Sequence, residues 1–339
     1  MLDVSSVKDV NDYTIRHNVL WNAQIEILTL CNFNCKHCYI PDRISKGLSY
    51  EKLSELADAF FDLGVFNVTL TGGEIFTRED IIEVVELFTS KGFRVSLYSN
   101  GSILSENIVR KLKNLGIVLF STTIFSLDSS INDEITQVKG SLERILKNVD
   151  LLKANNIPVQ IKMPIMKQNY TSYEALKHYC DERKISFFPS PNITPKTDGN
   201  KTPLLFELDD DKFARIIRDI NQENEKRNVE IENAYNEDEV ICRALNNSIF
   251  INSKGDVSPC ISWPVKIGNI YEENLELIWN NSRILRNLRK LRKRDMKKCG
   301  ECQYSSTCTI CPGDSMADGD MLGCSKLQKK CAKSILGLL

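Results

Sequence analysis

Cys31-Asn32-Phe33-Asn34-Cys35-Lys36-His37-Cys38 is the stretch on which the reading of this chain turns. It follows directly on a β-like run, Ala23–Leu30, so its three thiols share one loop at the C-terminal end of a strand. Parallel α/β sheets place their chemistry at that end. Three thiolates on one loop suit three irons of a cubane, whereas a fully protein-bound [4Fe–4S] cluster takes four ligands. The fourth iron is then open to an outside molecule, and a chelating amine and carboxylate would fill it. The plainer alternative is a zinc site completed by His37.

Outward from this loop, short β-like runs alternate with amphipathic helices. The further strands are expected at Phe66–Thr71, Arg94–Ser99, Val118–Phe125, Pro158–Met163 and Ile185–Phe188. Helices are expected at Ser49–Leu63, Arg78–Lys91, Ser105–Asn114, Ser141–Asn155 and Thr171–Arg183, with Ser49, Thr77, Ser105 and Thr171 at N-cap positions. This alternation implies a parallel sheet wrapped by helices. Six strands are too few for a closed eight-fold barrel, so the expected fold is α/β, a partial, TIM-like (β/α)6 barrel. Residues 189–206 read as a loop and Asp209–Arg227 as a polar linking helix. The expected organisation is an N-terminal extension over 1–20, a core over 21–207, a linker region over 208–240 and a small cysteine-rich domain over 241–339.

Of the 339 residues, 42% are apolar and 26% charged, with a net charge of −1. No global field favours nucleic acid or an anionic membrane, and no apolar run reaches the ~20 residues of a bilayer span. The first thirty residues lack the basic-then-apolar order of a secretion signal. Twelve cysteines are the outlier: the early triplet, a lone Cys180 on a predicted helix, and a late group of eight from Cys242 to Cys331. Without a secretion signal a cytoplasmic location is expected, and clustered thiols there read as metal or cluster ligands. Cys180 reads as a small apolar core residue.

Further motifs end the predicted strands. In Thr71-Gly72-Gly73-Glu74 the glycines admit close backbone approach, and Glu74 offers a carboxylate to an ammonium group. Ser99-Asn100-Gly101 ends the third strand; Ser126 and Asp128 end the fourth, before Asn132-Asp133-Glu134-Ile135-Thr136 and Gly140-Ser141. With the CxxxCxxC spacing, residues 21–195 resemble the radical S-adenosylmethionine (radical SAM) superfamily. The resemblance implies that Cys31, Cys35 and Cys38 hold a [4Fe–4S] cluster whose open iron binds the amino and carboxylate groups of S-adenosyl-L-methionine, which is cleaved reductively to a 5′-deoxyadenosyl radical. It implies cofactor contacts from Gly72, Gly73, Glu74, Ser99, Asn100, Ser126 and Thr136. The family usually has an aromatic residue before the third cysteine, and here it is His37. Asn132 replaces the histidine of an HDxIT…GS segment common in peptide-modifying members.

The late cysteines run Cys242-x12-Gly255-x4-Cys260, then Cys299-x2-Cys302-x5-Cys308-x2-Cys311, then Cys324 and Cys331. This resembles the SPASM domain, with x2 rather than x3 before Cys311. The resemblance implies two auxiliary [4Fe–4S] clusters: one on Cys242, Cys260 and Cys311, the other on Cys299, Cys302 and Cys308, with Cys324 and Cys331 competing for the last position. Taken alone, the array would also suit structural zinc. SPASM-bearing relatives commonly modify ribosomally made peptides. The expected function is therefore a maturase abstracting hydrogen from a peptide residue. The alternatives are a radical enzyme acting on a tetrapyrrole or other small cofactor precursor, and a non-catalytic zinc-binding protein. Expected partners are a leader-bearing peptide, a flavodoxin- or ferredoxin-type electron donor and a separate leader-binding protein, since thirty residues before Cys31 are too few for a winged-helix leader-binding domain. Arg283 to Lys298, with nine basic residues, one acid and Leu285, Leu288 and Leu291 in register, reads as an amphipathic helix with a basic face. A sharper reading makes it a dock for an acidic peptide or reductant.

Overall fold

A computed structural model describes residues 7–226 and 235–339. After helix α1 (Val7–His17), strands β1 (Asn22–Leu28), β2 (Asn67–Gly72), β3 (Arg94–Tyr98), β4 (Leu119–Thr123), β5 (Val159–Pro164) and β6 (Ser186–Ser190) pair in sequence order, all parallel. Between them lie α2 (Tyr50–Leu63), α3 (Ile81–Ser90), α4 (Glu106–Asn114), α5 (Ser129–Thr136), α6 (Ser141–Ala154) and α7 (Tyr173–Glu182). β1 and β6 do not pair, so the six strands form an open, partial barrel, as the alternation predicts.

Each element follows from local chemistry. Alternate residues Val159, Ile161 and Met163 of β5 enter the helix-covered core, leaving Gln160 and Lys162 on the inner face. Helix α2 starts where the Ser49 side chain accepts from the Lys52 N–H, buries Leu53, Leu56, Ala57 and Phe60, and stops at Gly64 in a left-handed conformation. Boundaries shift where side chains recruit the backbone. β1 ends at Leu28 rather than Leu30 because the Thr29 and Leu30 N–H groups turn to the Ser45 carbonyl. β4 ends early because the Phe125 N–H donates to Asn132 Oδ1. Helix α3 starts at Ile81 rather than Arg78, whose guanidinium holds Asp80 and the Leu48 carbonyl, while Thr77 donates to the Glu74 carbonyl instead of capping. Thr171 lies in a 3₁₀ turn ahead of α7 and does not cap it either. Cys180 is a fully buried apolar residue of α7.

The linking helix α8 (Asp210–Lys226) packs on the last helix rather than standing clear, burying Phe213, Ala214 and Ile216; Arg227, its expected end, lies outside the described residues. Beyond it come α9 (Ala244–Asn247), β7 (Ser248–Ile251), β8 (Asp256–Ser258), β9 (Gly268–Asn269), α10 (Leu275–Asn281), α11 (Arg283–Leu288), α12 (Pro312–Ala317) and α13 (Lys326–Ile335). β7 adds to the barrel sheet, parallel to β1, and β8 and β9 continue it antiparallel. The expected boundary at 241 thus falls inside one continuous nine-stranded sheet.

The basic stretch departs from expectation. It is helical only over α11, with a 3₁₀ turn at Lys293–Asp295. Leu285 and Leu288 are buried, and several of its charges are used internally. Arg289 stacks on Trp279 and donates to the carbonyls of Leu245 and Trp279; Lys293 pairs with Glu239, Arg294 with Asp238 and Lys297 with Asp320. No described helix is long and apolar enough to cross a membrane.

Candidate functional site

The loop from Thr29 to Ser49 leaves the C-terminal end of β1 and is pinned from two sides. The Asn34 and Lys36 N–H groups donate to the carbonyls of Thr136 and Ile135 at the end of α5, and Lys36 pairs with Glu134 at 2.7 Å. On the other side Asn32 bonds Ser102 and Asn100, beyond the end of β3, at 2.9 and 2.8 Å. Asn32 and Ser102 escape a motif reading because their task is to hold the loop.

Cys31, Cys35 and Cys38 are free, partly buried thiols on this loop. Burial pushes the Cys31 thiol up to about 11, with Glu74 and Cys38 acting in the same direction. Burial and then the two other thiols raise Cys35, and burial raises Cys38. Among the described residues no three ligating side chains converge on one point as they would around a single ion. The charges of Cys31 and Cys38 bear on Cys35, and that of Cys38 on Cys31. His37 is an imidazole held neutral by burial, its pKa lowered to about 4; its ring meets Phe125 edge-on at 5.0 Å.

The glycine pair ends β2 against the root of this loop. A Cβ on Gly73 would sit 2.3 Å from the carbonyl oxygens of both Thr29 and Leu30. That approach lets the Gly73 and Glu74 N–H groups donate to the carbonyls of Leu28 and Leu30 at 3.1 and 2.8 Å. Glu74 is expected to contact the cofactor. Its carboxylate is fully buried, and both oxygens are turned to protein donors: the Phe76 N–H at 2.9 Å, the Ser99 hydroxyl at 2.8 and 3.0 Å, and the Asn100 N–H at 2.7 Å. Burial raises its pKa against the pull of these donors. In this arrangement the carboxylate fastens the end of β3 to the end of β2.

Ser126 and Thr136, expected as cofactor contacts, are buried in internal networks. Ser126 bonds Ser172 at 2.8 Å and accepts from the Asp128 N–H. The Thr136 hydroxyl meets that of Ser141 at 2.9 Å. Both hydroxyls bond within the fold, and Thr136 also serves the site through its carbonyl, which holds Asn34. The Asn132–Ser141 segment forms one polar unit. Asp133 accepts from the N–H groups of Gly140, Ser141 and Leu142 and from the Ser141 hydroxyl, and Asn132 donates to that hydroxyl. Burial raises the Asp133 carboxyl, but these hydrogen bonds together hold it below its ordinary value.

Four buried polar atoms beyond the strand ends have no protein partner among the described residues: His37 Nδ1 and Arg43 Nη1 on the cysteine loop, Gln168 Oε1 after β5, and Asn192 Oδ1 after β6. With the three thiols and the glycine approach, these unpaired groups fit a polar ligand lying over the C-terminal ends of the strands.

The eight late cysteines fall into two neighbourhoods. The charge of Cys311 bears on Cys242, and that of Cys242 on Cys260. Separately, Cys308 feels Cys299, Cys324, Cys302 and Cys331 in that order, and Cys299 feels Cys324 and Cys302. Cys331 bears on Cys308 and also shares a neighbour, Asp314, with Cys260 and Cys311. Two cavities flank the barrel. One of about 940 Å³ lies at the N-terminal ends of β1 to β3, where Asn22, Asn67 and Arg94 face Cys242 and Cys308. The other, about 700 Å³, lies on the side of the cysteine loop. It runs from Tyr39 along Pro191–Leu204 to Ile261, Ser262 and Gly313, which flank Cys260 and Cys311.

Residues 25–180 match the radical SAM superfamily model, and residues 242–303 match SPASM, an iron–sulfur cluster-binding domain. An AdoMet-dependent heme synthase of Methanosarcina barkeri is 27% identical over 325 residues, covering 88% of this chain and 93% of that protein. The antilisterial bacteriocin subtilosin biosynthesis protein AlbA of Bacillus subtilis is 25% identical over 312 residues, 86% of this chain and 66% of AlbA. The crystal structure of Streptococcus suis SuiB bound to precursor peptide SuiA superposes with a TM-score of 0.72 at 18% identity, over 98% of this chain and 82% of SuiB. The strand-end thiol loop, the open parallel barrel and the cysteine-rich extension thus agree with both matched models. The chain is a radical SAM enzyme with a SPASM domain, built to bind S-adenosylmethionine, a [4Fe–4S] cluster and auxiliary iron–sulfur clusters.

Proposed function

We propose that the chain is a peptide maturase that abstracts a hydrogen atom from a residue of a ribosomally made peptide. The observation that carries this reading is the 700 Å³ cleft, which joins the cysteine loop at Tyr39 to the Cys260 and Cys311 neighbourhood. Its apolar floor (Ile193, Leu204, Phe213, Ile261) and its rim of Lys196, Lys201, Lys326 and Lys330 suit an extended chain laid between the two centres. SuiB, whose fold this chain shares, binds a precursor peptide.

In this reading Cys31, Cys35 and Cys38 hold the first cluster. Gly72, Gly73, Ser99 and Asn100 place the backbone that receives S-adenosylmethionine, and Glu74 fixes that backbone. When bound and reduced, the cofactor pair supplies a 5′-deoxyadenosyl radical. The chain's own contribution is to orient one substrate C–H bond and to exclude water. Cys242, Cys260, Cys311 and Cys331 would hold one auxiliary cluster, and Cys299, Cys302, Cys308 and Cys324 the other. The influence of Cys299, Cys302 and Cys324 on Cys308 supports the second set; the shared Asp314 supports placing Cys331 in the first, while its charge also bears on Cys308. A flavodoxin- or ferredoxin-type donor would supply electrons, and a separate protein would present the leader.

A second reading, a tetrapyrrole-modifying enzyme, has its own support in the M. barkeri heme synthase, matched over 93% of its length. Reconstituted protein incubated with S-adenosylmethionine and a low-potential reductant should form 5′-deoxyadenosine. Mass spectrometry after coexpression with short peptides from neighbouring reading frames should show a peptide lighter by hydrogen. Turnover of iron-coproporphyrin with every peptide unchanged would transfer the assignment to the second reading.

A further inference from the structure

The inner face of the barrel is mostly uncharged: Thr69 and Thr71 on β2, Ser96 and Tyr98 on β3, Ser121 and Thr123 on β4. Toward the C-terminal ends two inward positions carry charge, Glu26 on β1 and Lys162 on β5. Glu26 is occupied, its Oε1 accepting from the Ser253 N–H at 3.2 Å and the Ser253 hydroxyl at 2.8 Å. Lys162 is different. Its ammonium reaches across β4 and lies 3.2 Å from the centroid of the Tyr98 ring. Among the described residues neither the ammonium nor the Tyr98 hydroxyl has a hydrogen-bonding or ionic partner.

A ring face alone compensates an ammonium incompletely for lost water. Burial accordingly lowers the Lys162 pKa to about 8 and raises that of Tyr98, which keeps the phenol protonated as a donor. Both groups stand next to the cofactor platform, since Tyr98 directly precedes Ser99 and Asn100, which hold Glu74. A cation and a hydroxyl donor, unpaired and side by side, form the complement of a carboxylate.

We propose that Lys162 and the Tyr98 hydroxyl bind a carboxylate of the substrate inside the barrel, so that the group brought to the radical is carried on an acidic molecule. The inference rests on the reading above that substrate enters this lumen. The carboxylate is an acidic side chain of a peptide or the propionate of a tetrapyrrole, and two probe pairs separate these sources. One pair is the capped pentapeptides acetyl-GGEGG-amide and acetyl-GGQGG-amide; the other is coproporphyrin III and its tetramethyl ester. Binding of each to anaerobically reconstituted protein with S-adenosylmethionine is measured by calorimetry or porphyrin fluorescence.

In one pair the carboxylate form should bind about tenfold more tightly than its masked partner, and that pair names the source. Lys162→Met should reduce the preference to about twofold or less, with iron content and circular dichroism unchanged, while Lys162→Arg keeps it. Tyr98→Phe, which leaves the ring beneath the ammonium, should weaken the carboxylate form about threefold, and serves as the test if Lys162→Met does not fold. No preference in either pair, or a preference that survives both substitutions, overturns the proposal. Wild-type protein that forms 5′-deoxyadenosine without a carboxylate preference refutes this inference alone; a preference without 5′-deoxyadenosine refutes the functional reading instead.

Discussion

Gly73→Ala tests how the cluster loop is held. The added Cβ would lie 2.3 Å from two carbonyl oxygens, and ordinary contact begins at 3.4 Å, so 3.4 − 2.3 = 1.1 Å must be found at each. Neither neighbour is the free end of a flexible side chain. Thr29 and Leu30 form the root of the cysteine loop, and the Leu30 carbonyl already accepts from the Glu74 N–H at 2.8 Å. Overpacking of this kind costs about 1–3 kcal/mol, and losing that hydrogen bond adds about 1 kcal/mol. The loop yields most readily by moving Cys31 away from Cys35 and Cys38. The variant should therefore be less stable to urea by about 2–4 kcal/mol and lose iron and sulfide toward the level of a protein with Cys31, Cys35 and Cys38 all changed to Ala. Gly92→Ala is the control, because that glycine, unlike Gly73, has positive φ (88°), yet no atom lies within 4 Å of an added Cβ. It carries backbone strain without collision and should keep its clusters. Wild-type iron, sulfide and 5′-deoxyadenosine formation in Gly73→Ala would refute the claim that this approach positions the loop.

Glu74→Gln puts an amide among donors that now face a carboxylate, leaving the Phe76 N–H or the Asn100 N–H opposite an NH2 group. It should destabilise by about 1–3 kcal/mol and weaken S-adenosylmethionine binding, measured by equilibrium dialysis. Asp133→Asn removes the anion that gathers the start of α6. Because the folded Asp133 carboxyl lies below its ordinary value, its stabilisation is fully present above the unfolded value of about 3.9 and is lost as pH falls through the folded value. Denaturant midpoints of wild type and variant should thus differ near pH 7 and converge as pH falls below the ordinary carboxylate range. For the auxiliary clusters, Cys324→Ala should remove no further iron from Cys299→Ala protein but should remove more from Cys242→Ala protein; Cys331→Ala should do the reverse.

The parallel core was legible because the alternation of Val159, Ile161 and Met163 with Gln160 and Lys162, and caps such as Ser49 and Ser105, are local signals. Cysteine spacing likewise marks ligands without knowledge of packing. What a sequence hides is the direction in which a polar side chain turns. Only the structure shows that the side chains of Glu74, Ser126 and Thr136 also bond the N–H and hydroxyl groups that the strand and helix ends leave orphaned. Lys162 lies in an ordinary strand pattern, and only the curvature of the sheet brings it over Tyr98. The basic stretch read as one helix because nine like charges look solvent-facing, whereas Glu239, Asp238 and Asp320 arrive from distant segments to neutralise part of it.

The pairing of β7 alongside β1 makes the iron–sulfur extension a splint for the strand that carries the cysteine loop. Cutting the chain before β7 would bare the unpaired backbone of Asn22 to Ile25, a sheet edge that invites pairing with other molecules. The extension is accordingly no detachable module: grafts or truncations that treat it as one should yield aggregates rather than a smaller enzyme.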